Sequence, residues 1–216
     1  MARAGLQSSL LICLCIAAGS CTSMSVGGRA GQSNLLDAGL VGWQQMAGQP
    51  GAWRFSKGVL RAEGDEAGWL FSTRQYGDFV LSLEFRVGPG AGGGVLVRTP
   101  YGNDPATAGM RIQITDDYAE RYGDAGPAWP TGSLVGAQAP SERASKAADV
   151  WQKMVITCQG PSIKVALNGK TVVDTSLAYF SYLQASRPGL GRSDGYVGLD
   201  CQAGRVEFRD IRIDAM

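Results

Sequence analysis

Apolar side chains recur at every second position along much of this chain, the period of a strand with one buried face. Phe79, Leu81, Leu83, Phe85 and Val87 alternate with Val80, Ser82, Glu84 and Arg86. Val95 and Val97 alternate with Leu96 and Arg98, and Ile112 and Ile114 with Arg111, Gln113 and Thr115. Shorter runs of the same kind are Trp53–Phe55, Val59–Arg61 and Trp69–Phe71, and further on Trp151–Cys158, Ser162–Leu167, Lys170–Asp174, Tyr196–Leu199 and Val206–Ile213. Turn residues separate them. Asn168-Gly169 between two alternating runs predicts a tight hairpin, and Lys57-Gly58 and Glu63-Gly64-Asp65 mark other turns. Many short alternating runs with glycine punctuation predict an all-β sandwich or barrel.

The central three runs predict more than a fold. If Phe79–Val87, Gly94–Arg98 and Met110–Thr115 lay side by side, one face would be aliphatic. The other would display Glu84, Arg86, Arg98, Arg111 and Gln113. A carboxylate, an amide and several guanidinium groups on one sheet face suit a polyhydroxylated ligand. The glycine-rich connection Gly88–Gly94 has no Lys-Ser/Thr after it and opens no helix, so it predicts a permissive hairpin rather than a phosphate cradle.

Alternation lapses over residues 117–150, where glycine and proline are frequent and Ser141–Ala148 is long enough for two helical turns. A loop of this length is usually functional or disordered. Tyr118, Tyr122 and Trp129 argue for packing, and the stretch is expected to form a flap beside the polar face. Trp129 is a candidate to stack on a sugar ring, while Trp151, opening a strand, is expected in the core.

Composition narrows the function. The 20 Lys and Arg residues nearly balance 19 Asp and Glu, leaving no footprint for nucleic acid. There is no histidine, which excludes Ser-His-Asp and Cys-His nucleophile schemes and the commonest metal ligand. At the N-terminus, Arg3 precedes the apolar run Leu10–Ile16, then Ala17-Ala18-Gly19-Ser20 and Cys21. This resembles a bacterial lipoprotein signal, with Ala18 where Leu is commonest. The expected organisation is therefore a signal peptide over 1–21 ending at a lipidated Cys21, a Ser- and Gly-rich tether over 22–35, and one domain over 36–216. The expected location is the cell envelope, with membrane contact through the lipid alone. Thr22 rather than Asp after Cys21 points to the outer membrane. Cys158 and Cys201 remain in the domain, as a disulfide pair or as two separately buried thiols.

Several strings occur in one order: Leu83-Glu84-Phe85-Arg86, Gly94–Arg98, Gln113–Asp116, Thr131-Gly132-Ser133, Trp151, Asn168-Gly169, Gly198-Leu199 and Phe208-Arg209-Asp210-Ile211. Together they resemble the 3-keto-disaccharide hydrolase family over about residues 36–214. The resemblance implies a concanavalin A-like jelly-roll sandwich of two antiparallel sheets with the ligand on the concave face. It also implies chemistry on sugars oxidised to a ketone at C3, where the acidified C2 hydrogen can be removed and the C1 glycosidic oxygen expelled. That route differs from the usual pair of carboxylates flanking the bond. It needs a base near C2 and a cation for the enolate.

On this view Glu84 or Asp116 is the base and Arg98 the enolate stabiliser. Arg86, Arg111, Gln113, Asp117 and Trp129 are expected to contact a saccharide. Glu84 has an alternative as a structural partner of neighbouring arginines. Asp116 and Asp117 have alternatives as ligands of a divalent metal or as turn caps; no cofactor is otherwise expected. Three positions depart from the family pattern. Arg111 stands where Glu is common, Gly92-Gly93-Gly94 replaces Asn-Ser-Gly, and no His follows Asp116. A carbohydrate-binding envelope lipoprotein without turnover is the alternative function.

Overall fold

The computed structural model describes residue 1 and residues 33–64, 67–102 and 104–216. The signal run, Cys21 and most of the tether lie outside the described residues. The described residues form thirteen strands: β1 (Ser33–Asn34), β2 (Trp43–Met46), β3 (Trp53–Ser56), β4 (Val59–Glu63), β5 (Trp69–Tyr76), β6 (Phe79–Val87), β7 (Gly92–Thr99), β8 (Met110–Thr115), β9 (Gln152–Gln159), β10 (Ser162–Leu167), β11 (Lys170–Ser176), β12 (Gly195–Ala203) and β13 (Arg205–Ala215). One short helix, α1 (Pro105–Ala108), and three 3₁₀ segments punctuate them.

The strands form two antiparallel sheets, as the resemblance implied. The larger has eight strands in the order β11-β10-β9-β6-β13-β4-β3, with β1 also paired to β13; the smaller runs β2-β5-β12-β7-β8. Their inner faces make the core. From the large sheet come Phe79, Leu81, Leu83, Phe85, Ile156, Val165 and Phe208; from the small one come Val95, Val97, Ile112, Ile114, Val197 and Leu199. Each such side chain, fully buried, stabilises the fold by about 1.5–3 kcal/mol. β13 keeps both Phe208 and Ile211 in the core although three positions separate them. A bulge between Arg209 and Arg212, with Asp210 at φ 49°, resets the alternation.

The tight hairpin forms as predicted. Leu167 pairs with Lys170 across Asn168 (φ 51°) and Gly169 (φ 88°), both left-handed as such a turn requires. The sandwich begins earlier than the sequence suggests, since Ser33 pairs with Ile213 and Leu35 N–H donates to the Ile211 carbonyl.

Three expectations are overturned. The three central strands are not neighbours: β6 lies between β9 and β13 in the large sheet, whereas β7 and β8 pair in the small one. The link after β6 crosses from one sheet to the other, so Gly88–Gly94 does not close the hairpin expected of it. Gly88 N–H there donates to the Arg205 carbonyl and Gly90 takes φ 65°. The polar stripe is therefore split between opposite outer faces. The segment 117–150 is also not a flap over a face. Residues 132–135 bond to the free edge of β8, through Gln113 N–H to the Ser133 carbonyl and Val135 N–H to the Arg111 carbonyl. Ser141 N–H donates to Val172 on β11. The segment thus ties one edge of each sheet together. No helix forms over Ser141–Ala148, because side chains take up its backbone groups. Asn168 Nδ2 donates to the Ala144 carbonyl, and Lys146 N–H donates to Gln152 Oε1.

Candidate active site

The outer face of the small sheet gathers unpaired chemistry. Register places Met46, Trp69, Asp200, Gly94 and Gln113 in one row across β2, β5, β12, β7 and β8. The adjacent row is Gln44, Phe71, Gly198, Leu96 and Arg111. One half of this face is aromatic. Phe71, Tyr101 and Tyr196 meet edge to face with centroids 5.9–6.5 Å apart. The other half is polar, because glycine at position 94 leaves room for the long side chain beside it. Arg111 reaches diagonally across to Asp200, with Nε 3.0 Å from Oδ2. A Cβ on Gly94 would stand 2.8 Å from Arg111 Nε and 3.0 Å from Asp200 Oδ1.

The pair is close but not fully bonded. Arg111 also donates from Nη2 to the Gly93 carbonyl at 2.8 Å. Among the described residues, Arg111 Nε and Asp200 Oδ1 have no partner of hydrogen-bonding geometry. The 3.0 Å approach is therefore ionic rather than an aligned bond. Asp200 is only 2% exposed. Burial raises its carboxyl above the ordinary Asp range, against the lowering effect of the neighbouring Arg111 charge. Gln113, half buried, spends its amide only on a long 3.3 Å contact to the Ile114 carbonyl. Trp69, also half buried, flanks Asp200 from β5.

The other expected residues are elsewhere. Arg98 is 1% exposed. At φ 48° it breaks the alternation within β7 and ties three loops together: Nε donates to the Gly77 carbonyl, Nη1 to those of Gly160 and Arg192, and Nη2 to Asp78 at 2.9 Å. Its guanidinium faces no cleft here. Glu84 and Arg86 lie on the outer face of the large sheet, bound to Arg209 (2.6 Å) and Glu207 (2.6 Å). Trp151 is on that surface as well, not in the core, between the guanidinium groups of Arg86 (4.9 Å) and Arg209 (4.1 Å).

Asp116 and Asp117 act as turn caps. Asp116 accepts from the N–H groups of Gly90 and Tyr118, and Asp117 from Thr131 N–H, Thr131 Oγ1 and Ser145 Oγ. With those oxygens occupied, the two carboxylates do not fit a divalent metal. Among the described residues no group of three or more Cys, Asp or Glu side chains is placed to hold one. Trp129 is half buried in the segment after the 3₁₀ turn Glu120–Ala125. No disulfide joins Cys158 and Cys201, which sit on strands of opposite sheets.

Sequence reasoning missed Asp200 and Trp69. The signal for Asp200 was available. Val197, Leu199 and Cys201 face inward, so a carboxylate at position 200 in mid-strand had to lie on the outer face beside Tyr196. Arg111 and Gln113 are brought together with it; Arg98, Glu84 and Asp116 are not.

Comparison with known proteins relates the fold to solved structures and the chain to a family. A candidate glycosyl hydrolase from Parabacteroides distasonis ATCC 8503 superposes with TM-score 0.76 at 27% identity, covering 86% of this chain and all of its own. A β-glucanase from Bacillus licheniformis (TM-score 0.57, 12% identity, 88% and 99% covered) shares the fold. So does the carbohydrate-binding module CBM66 from Bacillus subtilis (TM-score 0.52, 16% identity, 81% and 96% covered). No curated protein matches the chain in sequence. Residues 31–214 match the 3-keto-α-glucoside-1,2-lyase-like domain, and the chain belongs to that family.

Proposed function

We propose that this carbohydrate-active domain cleaves 3-keto-glycosides on the outer face of its small sheet. The observation that carries the reading is the Arg111–Asp200 pair, 3.0 Å apart, with Asp200 in the row that also holds Trp69 and Gln113. A ketone at C3 acidifies the C2 hydrogen. Asp200, a stronger base for its burial, takes that proton, and the Arg111 guanidinium stabilises the enolate oxygen that develops at C3. The C1–O bond then breaks and the departing oxygen takes a proton from water; the hydroxide so formed adds at C1 of the unsaturated sugar while Asp200 returns its proton to C2, which completes a hydrolysis. Gln113 orients ring hydroxyls and Trp69 offers a flat apolar surface. A positioned base contributes on the order of 10²–10⁴-fold and a preorganised cation about as much.

The test is release of 3-keto-glucose from 3-keto-trehalose or 3-keto-sucrose by the full chain. Turnover that drops at least about 100-fold in Asp200→Asn supports the mechanism. Turnover unchanged in Asp200→Asn and in Arg111→Met sinks it.

A second reading, saccharide binding without cleavage, is favoured by one feature: Asp200 is 2% exposed and sealed under Arg111. It predicts saturable binding of these sugars with no product. In either case the lipoprotein-like run ending at Cys21 supports a cell-envelope location through a lipid on that residue. Metabolic labelling with palmitate that survives in Cys21→Ser would exclude the anchor.

A further inference from the structure

The large sheet carries a groove on its own outer face, on the far side of the sandwich from Asp200. It has a volume of about 660 Å³ and is lined by Ala52, Arg54, Ser56, Arg61, Glu63 and Glu207, with Val59 on its floor. That volume lies in the range of small-molecule sites.

Its charges are arranged unusually. Arg54 on β3 pairs directly with Arg61 on β4, and Arg61 pairs onward with Glu207 on β13. Like charges directly opposite across two antiparallel strands are destabilising. Arg61 is relieved by Glu63, two residues along its own strand and ion-paired with it. Arg54 is not relieved: among the described residues it meets no carboxylate, and its Nε donates only to the Gly51 carbonyl at 3.3 Å. A guanidinium is the side chain best suited to a two-pronged bond with a carboxylate or sulfate group.

The far wall excludes a bare inorganic anion as the best fit. Glu207, ion-paired with Arg86, and Glu63, ion-paired with Arg61, disfavour a second bare anion there but keep lone pairs that accept hydroxyl hydrogens. The Ser56 hydroxyl can do either, and Val59 and Ala52 give a small apolar floor under a ring. One ligand satisfies both walls, a sugar that carries an anionic group on one side and hydroxyls on the other.

From this arrangement we infer that the groove binds acidic saccharides, their carboxylate or sulfate ester bridging Arg54 and Arg61. This second site is independent of the chemistry proposed at Arg111 and Asp200.

The experiment is calorimetric titration of the full chain with three probes: trigalacturonate, a disulfated disaccharide and neutral maltotriose. The expected result is binding of at least one acidic probe that weakens about tenfold or more in Arg54→Gln and in Arg61→Gln. It should weaken further as salt is raised. Trigalacturonate alone binding assigns a carboxylate ligand, and the disulfated sugar alone a sulfate ester. Both arginines are surface residues, so the variants are expected to fold, and their thermal unfolding checks this. No binding of either acidic probe overturns the inference. So does binding that both variants leave unchanged, or binding that maltotriose matches in strength. Turnover of 3-keto-trehalose should be the same in Arg54→Gln as in the parent chain, which separates failure of this site from failure of the other.

Discussion

Arg111 and Asp200 stand on strands that are not neighbours, with β7 between them, and meet only because the intervening residue is Gly94. A side chain there would occupy the space the guanidinium crosses. Arg111 thus supplies the cation of the site from β8. The buried acid comes from β12.

Gly94→Ala is the direct test of that crossing. Its Cβ would approach Arg111 Nε to 2.8 Å, the Ile112 carbonyl oxygen to 2.9 Å and Asp200 Oδ1 to 3.0 Å. Backbone cannot give way as a side chain can. A destabilisation of about 1–3 kcal/mol is expected, read as a lower denaturant midpoint. An unchanged midpoint would show that the strands separate more easily than the packing suggests.

Asp200 predicts a dependence of stability on pH. Its folded-state pKa is raised by burial, so the native state holds the proton after the unfolded chain has released it. The stability tied to the protonated form is fully present below the unfolded value, about 3.9. It is lost as pH rises through the higher folded value. Asp200→Asn cannot ionise and should lack this decline. The stability difference between parent and variant, measured by urea unfolding from pH 3.5 upward, should shift toward the variant as pH rises. A difference independent of pH would mean that Arg111 fully offsets the burial.

Replacing the pair as a unit separates structure from function. Removing one partner alone leaves a buried charge and is expected to cost about 3–5 kcal/mol. The double variant Arg111→Met with Asp200→Leu should recover most of that loss, since apolar replacements of a buried pair are often neutral. The same double variant should show no turnover of 3-keto-trehalose.

Arg98 is expected to matter for folding. Arg98→Ala leaves the carbonyls of Gly77, Gly160 and Arg192 without their donor and Asp78 without its ion pair. Unpaired buried groups cost about 1–3 kcal/mol each, so a large fall in melting temperature is predicted. Were the variant to keep its stability and lose only turnover, Arg98 would belong to the active site after all.

Cys158 should be inert in the native protein. Burial pushes its thiol up to about 12, outweighing the lowering effect of Arg98 nearby, and the thiolate is the reactive form. At pH 8 its alkylation, followed on the tryptic peptide that contains it, should track global unfolding. Fast labelling without unfolding would show that this end of the sandwich opens.

Much of the fold was legible along the chain. Odd positions of β6 from Phe79 to Val87 were expected inside and are inside, because a strand exposes alternate faces wherever it sits. The left-handed pair Asn168-Gly169 fixed its hairpin for a local reason, since few residues tolerate those angles. Of the site, Arg111 and Gln113 were legible from their parity on one strand. The outward parity of Asp200 could be read in the same way, but its meeting with Arg111 could not, because that depends on β7 lying between β12 and β8.

The sequence by itself therefore determined which face of each strand is apolar, where the chain turns, and the family to which it belongs. Only the tertiary structure decided which strands became neighbours. The crossing after β6 sent Glu84 and Arg86 to one outer face and Arg111 and Gln113 to the other. The bulge at Asp210 and the left-handed backbone at Arg98 redirected side chains that a strict alternation would have placed elsewhere. The physical reason is that a period of two is a property of one strand, the same whichever sheet it joins. Pairing is chosen by the packing of all strands at once.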